Sequence, residues 1–282
     1  MVKIIECPRD AMQGWPHFIE TSKKIEYINE LLKVGFDTID FGSFVSPKAI
    51  PQMADTKEVL QKVDLKSGKS KLLAIVANVR GAQDAVNFDE ITYLGFPFSI
   101  SQVFQMRNAN STIENAISVV DEIQNLCSKN SKQLVVYISM GFGNPYGDEY
   151  HPDIVNKYIS QITSLGVKII SVADTVGIAT PDQVYDVMNN VVPEFPSIEC
   201  GVHLHSTNEN FKEKIDAALK AGVNRFDSAI LGIGGCPMAG NDLVGNMNTS
   251  KMVSHFSQLG KPTGLDLHQL AKCEMMAASI FI

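Results

Sequence analysis

The chain has 282 residues, 45% hydrophobic and 20% charged, with 14 Phe and 11 Met, enough apolar material for a sizeable core and too much for a disordered chain. Its net charge of -7 argues against a nucleic-acid or anionic-membrane surface and leaves room only for a local basic patch at a ligand site. Five cysteines without CxxC spacing fit a reducing compartment, and neither a signal sequence nor a bilayer-length apolar run is visible, so a cytoplasmic protein with no membrane partner is expected.

Eight short, apolar, β-branched runs follow one another: "VKIIEC" (2–7), "DTIDFGS" (37–43), "KLLAIVAN" (71–78), "EITYLGF" (90–96), "QLVVYISM" (133–140), "VKIISVAD" (167–174), "IECGVHLHS" (198–206) and "RFDSAIL" (225–231). Amphipathic segments lie between them, among them 22–35, 112–129, 152–166 and 180–192, the last opened by a capping Thr and a Pro. Eight such units predict an α/β fold, a (β/α)8 TIM barrel over about 1–240, with a short C-terminal helical extension over 241–282, the whole read as a single domain. A doubly wound sheet is the rival, but "ECPRDAMQG" after the first strand is not its phosphate loop.

In a barrel the catalytic groups gather at the C-terminal strand ends. Polar residues cluster at those ends: Glu6, Arg9 and Asp10 after the first strand, Asp40 and Ser43 on the second, Asn78 at the third, Ser171 and Asp174 at the sixth, His203 and His205 at the seventh. Ser43, Asn78, Ser171, Arg9 and Asp174 are therefore candidate substrate contacts. His203 and His205, two apart on a strand, face one side; they either share an ion or are buried histidines satisfied by hydrogen bonds. Asp10, on a strand separated from theirs only by the eighth, supplies the carboxylate of a two-histidine, one-carboxylate set, and the carbonyl oxygen of Asn246 can add a fourth ligand. Mixed N and O donors suit Mg2+ or Mn2+, with Zn2+ or Co2+ as substitutes.

Other residues carry two readings each. Cys236 in "GIGGCPMAG" is a small residue of a flexible turn, or an acid or nucleophile on the catalytic face. Arg9 is a structural partner of Asp10, or the charge that stabilises an enolate or carboxylate oxygen. Asp174 caps a helix or orients a reacting hydroxyl.

"ECPRDAMQ", "SFVSPKAIPQMAD", "ADTVGIATP", "HLH", "GIGGCPMAGND" and "GN" occur in an order and spacing that resembles the 3-hydroxy-3-methylglutaryl-CoA lyase family, within the metal-dependent barrel lyases and Claisen-type synthases. The resemblance implies cleavage of an acyl-CoA, 3-hydroxy-3-methylglutaryl-CoA, to acetyl-CoA and acetoacetate, and a homodimer. It implies Asp10, His203, His205 and Asn246 as metal ligands, with His203 also in the catalytic group. Arg9 would steady the enolate, Cys236 would protonate it, Asp174 would sit near the C3 hydroxyl, and Asp40 and Glu6 would stand behind the ligands.

The chain departs from the usual lyase pattern at several positions: "RDAMQ" for "RDGLQ", Asp40 for a Glu, Ser206 for the Asp of "HCHDT", Ser250 for a Glu, and Met140 and Asn144 for paired cysteines. The related synthases have a Glu where Met12 stands here and lack the cysteine loop. They, a metal-dependent aldolase for another 3-hydroxy acid, and a non-catalytic binding barrel are the alternatives.

Overall fold

The computed structural model describes residues 2–235 and 244–282. Eight parallel strands close in sequence order into a barrel: β1 (Lys3–Glu6), β2 (Thr38–Ser43), β3 (Lys71–Ile75), β4 (Ile91–Ser99), β5 (Gln133–Ser139), β6 (Ile169–Ala173), β7 (Glu199–His203) and β8 (Arg225–Ser228). Each expected run contains one strand. The ends differ where a capping or bridging residue leaves the ladder early, and β4 continues through Pro97 to Ser99.

Alternation along the strands separates two cores. Leu72, Leu94 and Val136 point outward to the helices, while Leu73, Ile75, Tyr93, Val135, Tyr137 and Ile169 fill the inside of the barrel. The first residues of three strands close the floor with charge: Lys3 and Arg225 both reach Glu199, at 2.5 and 3.0 Å.

The helices are α1 (Pro8–Gln13), α2 (Thr21–Leu32), α3 (Thr56–Leu60), α4 (Val79–Ala85), α5 (Gln102–Ala109), α6 (Ile113–Lys129), α7 (Pro152–Ser164), α8 (Pro181–Glu194), α9 (Phe211–Lys220), α10 (Thr249–Gln258) and α11 (Leu267–Ile280). Among the described residues no helix is long and apolar enough to cross a membrane. The capping box read from "TPDQ" is present at Thr180 and Gln183, so the start of α8 satisfies its own amides. Pro8 opens α1 directly after β1 and lifts Arg9 and Asp10 onto a helical turn over the barrel mouth. At the other end α11 returns to α2, where Lys272 and Gln269 both reach the Glu30 carboxylate at 2.7 Å.

The segment before α10 is tied to the mouth by Glu6, which is fully buried. Its Oε1 accepts the Ile230 amide at 2.8 Å, and its Oε2 lies 2.6 Å from the Thr249 hydroxyl, which also reaches Ser228 Oγ at 3.0 Å. Thr249 has one hydroxyl proton, so it donates to one of these neighbours and accepts from the other. With Glu6 protonated, the chain runs from Glu6 to Thr249 to Ser228. Burial, only partly offset by the Thr249 and Ile230 hydrogen bonds, raises Glu6 to about 8.

Because the folded-state value lies above the unfolded one, the protonated Glu6 contributes stability that is full below about pH 4.5 and is lost as pH rises through about 8. Glu6→Gln keeps the same hydrogen bonds without a titrating proton. Urea midpoints should therefore fall less for the variant than for the wild type between pH 5 and 9; parallel curves would show that Glu6 is ionised in the folded protein.

Candidate active site

The C-terminal mouth of the barrel opens into a cleft of about 380 Å3. One wall carries Arg9, Asp10, Gln13, Asp40, His203 and His205; the facing wall is apolar, with Val45, Ile50, Ile75, Pro97 and Phe104. Tyr137, Ser139 and Thr175 lie between. Such a division of polar and apolar surface suits a ligand with a charged or oxygen-rich end and a carbon skeleton.

Asp10 is the best-partnered group. Its Oδ1 accepts from Arg9 Nη1 at 3.2 Å and Gln13 Nε2 at 3.1 Å, and its Oδ2 from Asn246 Nδ2 at 2.7 Å. Burial alone would raise its pKa, but Arg9, His203 and Asn246 outweigh burial and hold it at about 2. Arg9 is clamped in turn: Nε and Nη2 reach Asp40 at 3.0 and 2.6 Å, and Nη1 reaches Gln13 at 2.7 Å. Burial works against the Arg9 charge, yet the two carboxylates more than compensate. Asp40 itself is lifted by burial to about 6 in spite of Arg9.

His203 ends β7. His205 lies beyond it, held by an antiparallel bridge to Asn246 rather than by the strand. The expected shared strand face is thus one strand residue and one bridged residue, yet the rings still meet, with centroids 5.3 Å apart. Ligand atoms of Asp10, His203 and His205 lie within 4.8 Å of one another. The His205 ring bonds the Thr175 backbone, and its Nε2 is buried with no partner among the described residues. Burial first, then the neighbouring His203, lowers His205 to about 4, so the ring is neutral and has a lone pair to give. Two imidazoles and a carboxylate at this spacing fit a divalent cation.

A second cluster, Cys7, His203 and Asp227, is equally close. It does not fit a metal as well. Burial, with the Asp227, Asp40, Asp10 and Glu6 charges behind it, pushes the Cys7 thiol well above its ordinary range, and His203 Nδ1 is already bonded to Asp227 Oδ2 at 3.1 Å.

Asn246 stands beside the set, but with its amide nitrogen toward Asp10; the same nitrogen donates to Ile233 O at 2.9 Å. Its oxygen would be offered only with the amide turned over. Gly234 makes this approach possible: at φ +102°, it leaves a gap where a Cβ would lie 2.6 Å from Asn246 Nδ2.

Four expected substrate contacts do not line the cleft. Asp174 gives one oxygen to Lys214 Nζ at 2.8 Å and the other to the Ala179 amide at 3.1 Å, so it anchors its loop and α9. Asn78 caps α4 through the Gly81 amide, Ser43 bonds Ile75 O and the Val45 amide, and Ser171 turns to Asp227. Cys236 lies outside the described residues. Of the positions that depart from the lyase pattern, Met12 packs with Ile19 and Met53 in a small apolar cluster behind Ile50 of the cleft wall.

The sequence reading passed over Gln13, Asp227, Lys214 and Thr175. Gln13 had a signal, since it is four residues after Arg9 and three after Asp10 on one helix. Lys214, wholly buried, bonds both Asp174 and the His205 carbonyl at 2.7 Å, and its helix reads as solvated on charge alone.

The HMGL-like family matches residues 2–276. The cytoplasmic 3-hydroxy-3-methylglutaryl-CoA lyase of Rattus norvegicus is 34% identical over 95% of this chain and 78% of its own. The mitochondrial hydroxymethylglutaryl-CoA lyase of Bos taurus is 33% identical over 95% and 82%. Among solved structures, an HMG-CoA lyase of Acinetobacter baumannii in complex with coenzyme A and 3-methylmalate superposes with a TM-score of 0.92 at 30% identity, covering 100% of this chain and 91% of that one. The match over nearly the whole length and the metal-ready mouth of the barrel agree, and the chain belongs to the HMGL-like family.

Proposed function

We propose that the chain is a carbon-carbon lyase that cleaves 3-hydroxy-3-methylglutaryl-CoA to acetyl-CoA and acetoacetate with a divalent cation, Mg2+ or Mn2+. The observation that carries this reading is the meeting of Asp10, His203 and His205 beside the clamped Arg9 in one cleft. Asp10, His203 and His205 would hold the cation, with Asn246 as a fourth ligand once its amide is turned. When bound, the cation supplies Lewis acidity to a substrate hydroxyl and fixes the geometry of the bond to be broken.

In the reaction the C3 hydroxyl passes its proton to solvent at the open mouth, the C2–C3 bond breaks to leave C3 as the ketone of acetoacetate, and its electron pair passes to the thioester as an enolate; C2 then takes a proton from Cys236, whose thiolate is reprotonated from solvent. Arg9 is the fixed positive charge for the enolate oxygen. Asp40 holds Arg9 by two nitrogens, so no reorganisation is needed when charge develops. Cys236 is the proton donor of this reading, an assignment that rests on its motif alone. His203 serves as a ligand and not in proton transfer, because its Nδ1 is held by Asp227. Asp174, locked to Lys214, supports the His205 segment and does not touch substrate. The apolar wall receives the methyl-bearing carbon skeleton, and the CoA portion leaves by the open mouth. Two copies pair into a homodimer in this reading, and the reducing cytoplasm suits the four free, buried cysteines among the described residues.

Purified protein with Mn2+ should release acetyl-CoA from the substrate and stop when EDTA is added; folded, metal-loaded protein that releases none would sink the assignment. Cys236→Ala should lower kcat by about 10²-fold or more while leaving Mn2+ affinity unchanged, as removal of a general acid does. His205→Ala should lose Mn2+ binding in calorimetry, and unchanged affinity would remove it from the ligand set.

Protonation of Asp40 releases the clamp on Arg9. Activity should thus rise with pH through about 6 and level off above it, and Asp40→Asn should be weak at every pH without that limb. An unaltered acid limb in Asp40→Asn would assign it to another group.

A further inference from the structure

Asp227 is a buried carboxylate at the mouth whose part in the proposed reaction goes no further than its bond to His203. It is the third residue of β8, 2% exposed, and its side chain points inward behind His203. Its Oδ2 lies 3.1 Å from His203 Nδ1 and accepts from Ser171 Oγ at 3.4 Å. Ser171 is on β6 and Asp227 on β8, so they meet across β7. The strand register puts Gly201 level with Ser171 and Arg225, and a Cβ there would lie 2.8 Å from the Arg225 side chain. The missing side chain of Gly201 leaves room for the Arg225 side chain.

An ionised carboxylate only accepts hydrogen bonds, so the nitrogen facing it must carry the proton. In a neutral ring that leaves Nε2 bare. His205 reaches the same state by a different route, since its bond to the Thr175 backbone leaves Nε2 as the free nitrogen. One ligand histidine is therefore set by the main chain and the other by a side chain that mutation can remove. Arg225, two residues earlier on the same inward face, gives the buried Asp227 a compensating positive charge, while its Nε and Nη2 have no hydrogen-bond partner among the described residues. Asp227 Oδ1 and Tyr137 Oη are likewise unpartnered among the described residues.

We propose that Asp227 is the positioning residue of the metal set: by accepting a hydrogen bond from the Nδ1–H of His203 it fixes the tautomer and turn of that ring and commits Nε2 to the cation shared with Asp10 and His205. This rests on the metal-dependent reading given above. A carboxylate behind a histidine ligand also makes the ring a better donor, and loss of such a partner ordinarily costs 10- to 100-fold in metal affinity, an effect of about that size being expected here.

The test uses the full chain labelled with 15N-histidine, metal-free, with Mn2+ titrated by electron paramagnetic resonance. Long-range 1H–15N spectra of the wild type should show His203 and His205 both protonated on Nδ1. Asp227→Asn should move His203 to a mixture of tautomers, leave the His205 signals in place, and weaken Mn2+ by about 10- to 100-fold with an unchanged circular dichroism spectrum. A merely structural role would move both histidines or neither. Should the variants not fold, the wild-type spectrum decides, because His203 protonated on Nε2 with Nδ1 bare overturns the proposal. Unchanged tautomer and Mn2+ affinity in folded Asp227→Asn and Asp227→Ala overturn it as well. Substrate cleavage is assayed separately on the wild type, so failure to release acetyl-CoA counts against the lyase reading while the tautomer result stands on its own.

Discussion

A carboxylate buried at the mouth of a barrel has to be surrounded by donors, and Asp10 draws its donors from separate parts of the chain. Gln13 and Arg9 come from its own helix, and Asn246 comes from the segment after the barrel's last strand. Removing an ion from water costs on the order of several kcal/mol even after relaxation, so the arrangement is stable only when these donors are all in place. The same donors make Asp10 a strong anion beside two imidazoles. The demand for compensation and the capacity to hold a cation are one feature, and Arg9, shared between Asp10 and Asp40, links it to the charge that the proposed enolate needs.

The connection from Asn246 back to the barrel explains why the site is built from sequence-distant pieces. Residues 244–249 pass over the ends of β7, β8 and β1, Met247 packs in the apolar core, and backbone or buried polar contacts tie the segment down: His205 bridges Asn246, Ala229 bonds Met247 O at 3.0 Å, and Glu6 bonds Thr249. Lys214 pulls from the outside, bonding the His205 carbonyl and Asp174 together. His205 is thus fixed by its main chain on two sides although it is no longer in a strand. A loop residue placed in this way can hold a ligand geometry that a free loop could not.

Much of this was legible in the residues. Alternating apolar runs and amphipathic segments are dictated by the need to cover both faces of a parallel sheet, so the eight strands of the barrel could be read in order. Arg9, Asp10, His203 and His205 could be read because ionisable groups at consecutive strand ends have no structural need to gather there. Asp227 was hidden inside "RFDSAIL", where a single acid in a strand looks like an ordinary solvent-facing position; its period-two pairing with Arg225 was the available sign that both face inward. Asp174, Asn78, Ser43 and Ser171 sat at the right strand ends but were drawn to backbone amides, carbonyls or buried charges. A strand end fixes where a side chain starts, and the nearest unsatisfied partner decides where it goes.

The departures from the usual lyase pattern fall unevenly around the site. Ser206 is half-buried, with its amide donating to Gly245 O at 3.0 Å, and Ser250 has a buried hydroxyl without a partner among the described residues. Ser206 is thereby tied to the segment that carries Asn246, and Ser250 lies in the first turn of α10. Asp40, one methylene shorter than Glu, still reaches Arg9 by two nitrogens. Asp10, His203, His205 and the Asn246 amide therefore stand together while residues beside them, Ser206 and Asp40, depart from that pattern.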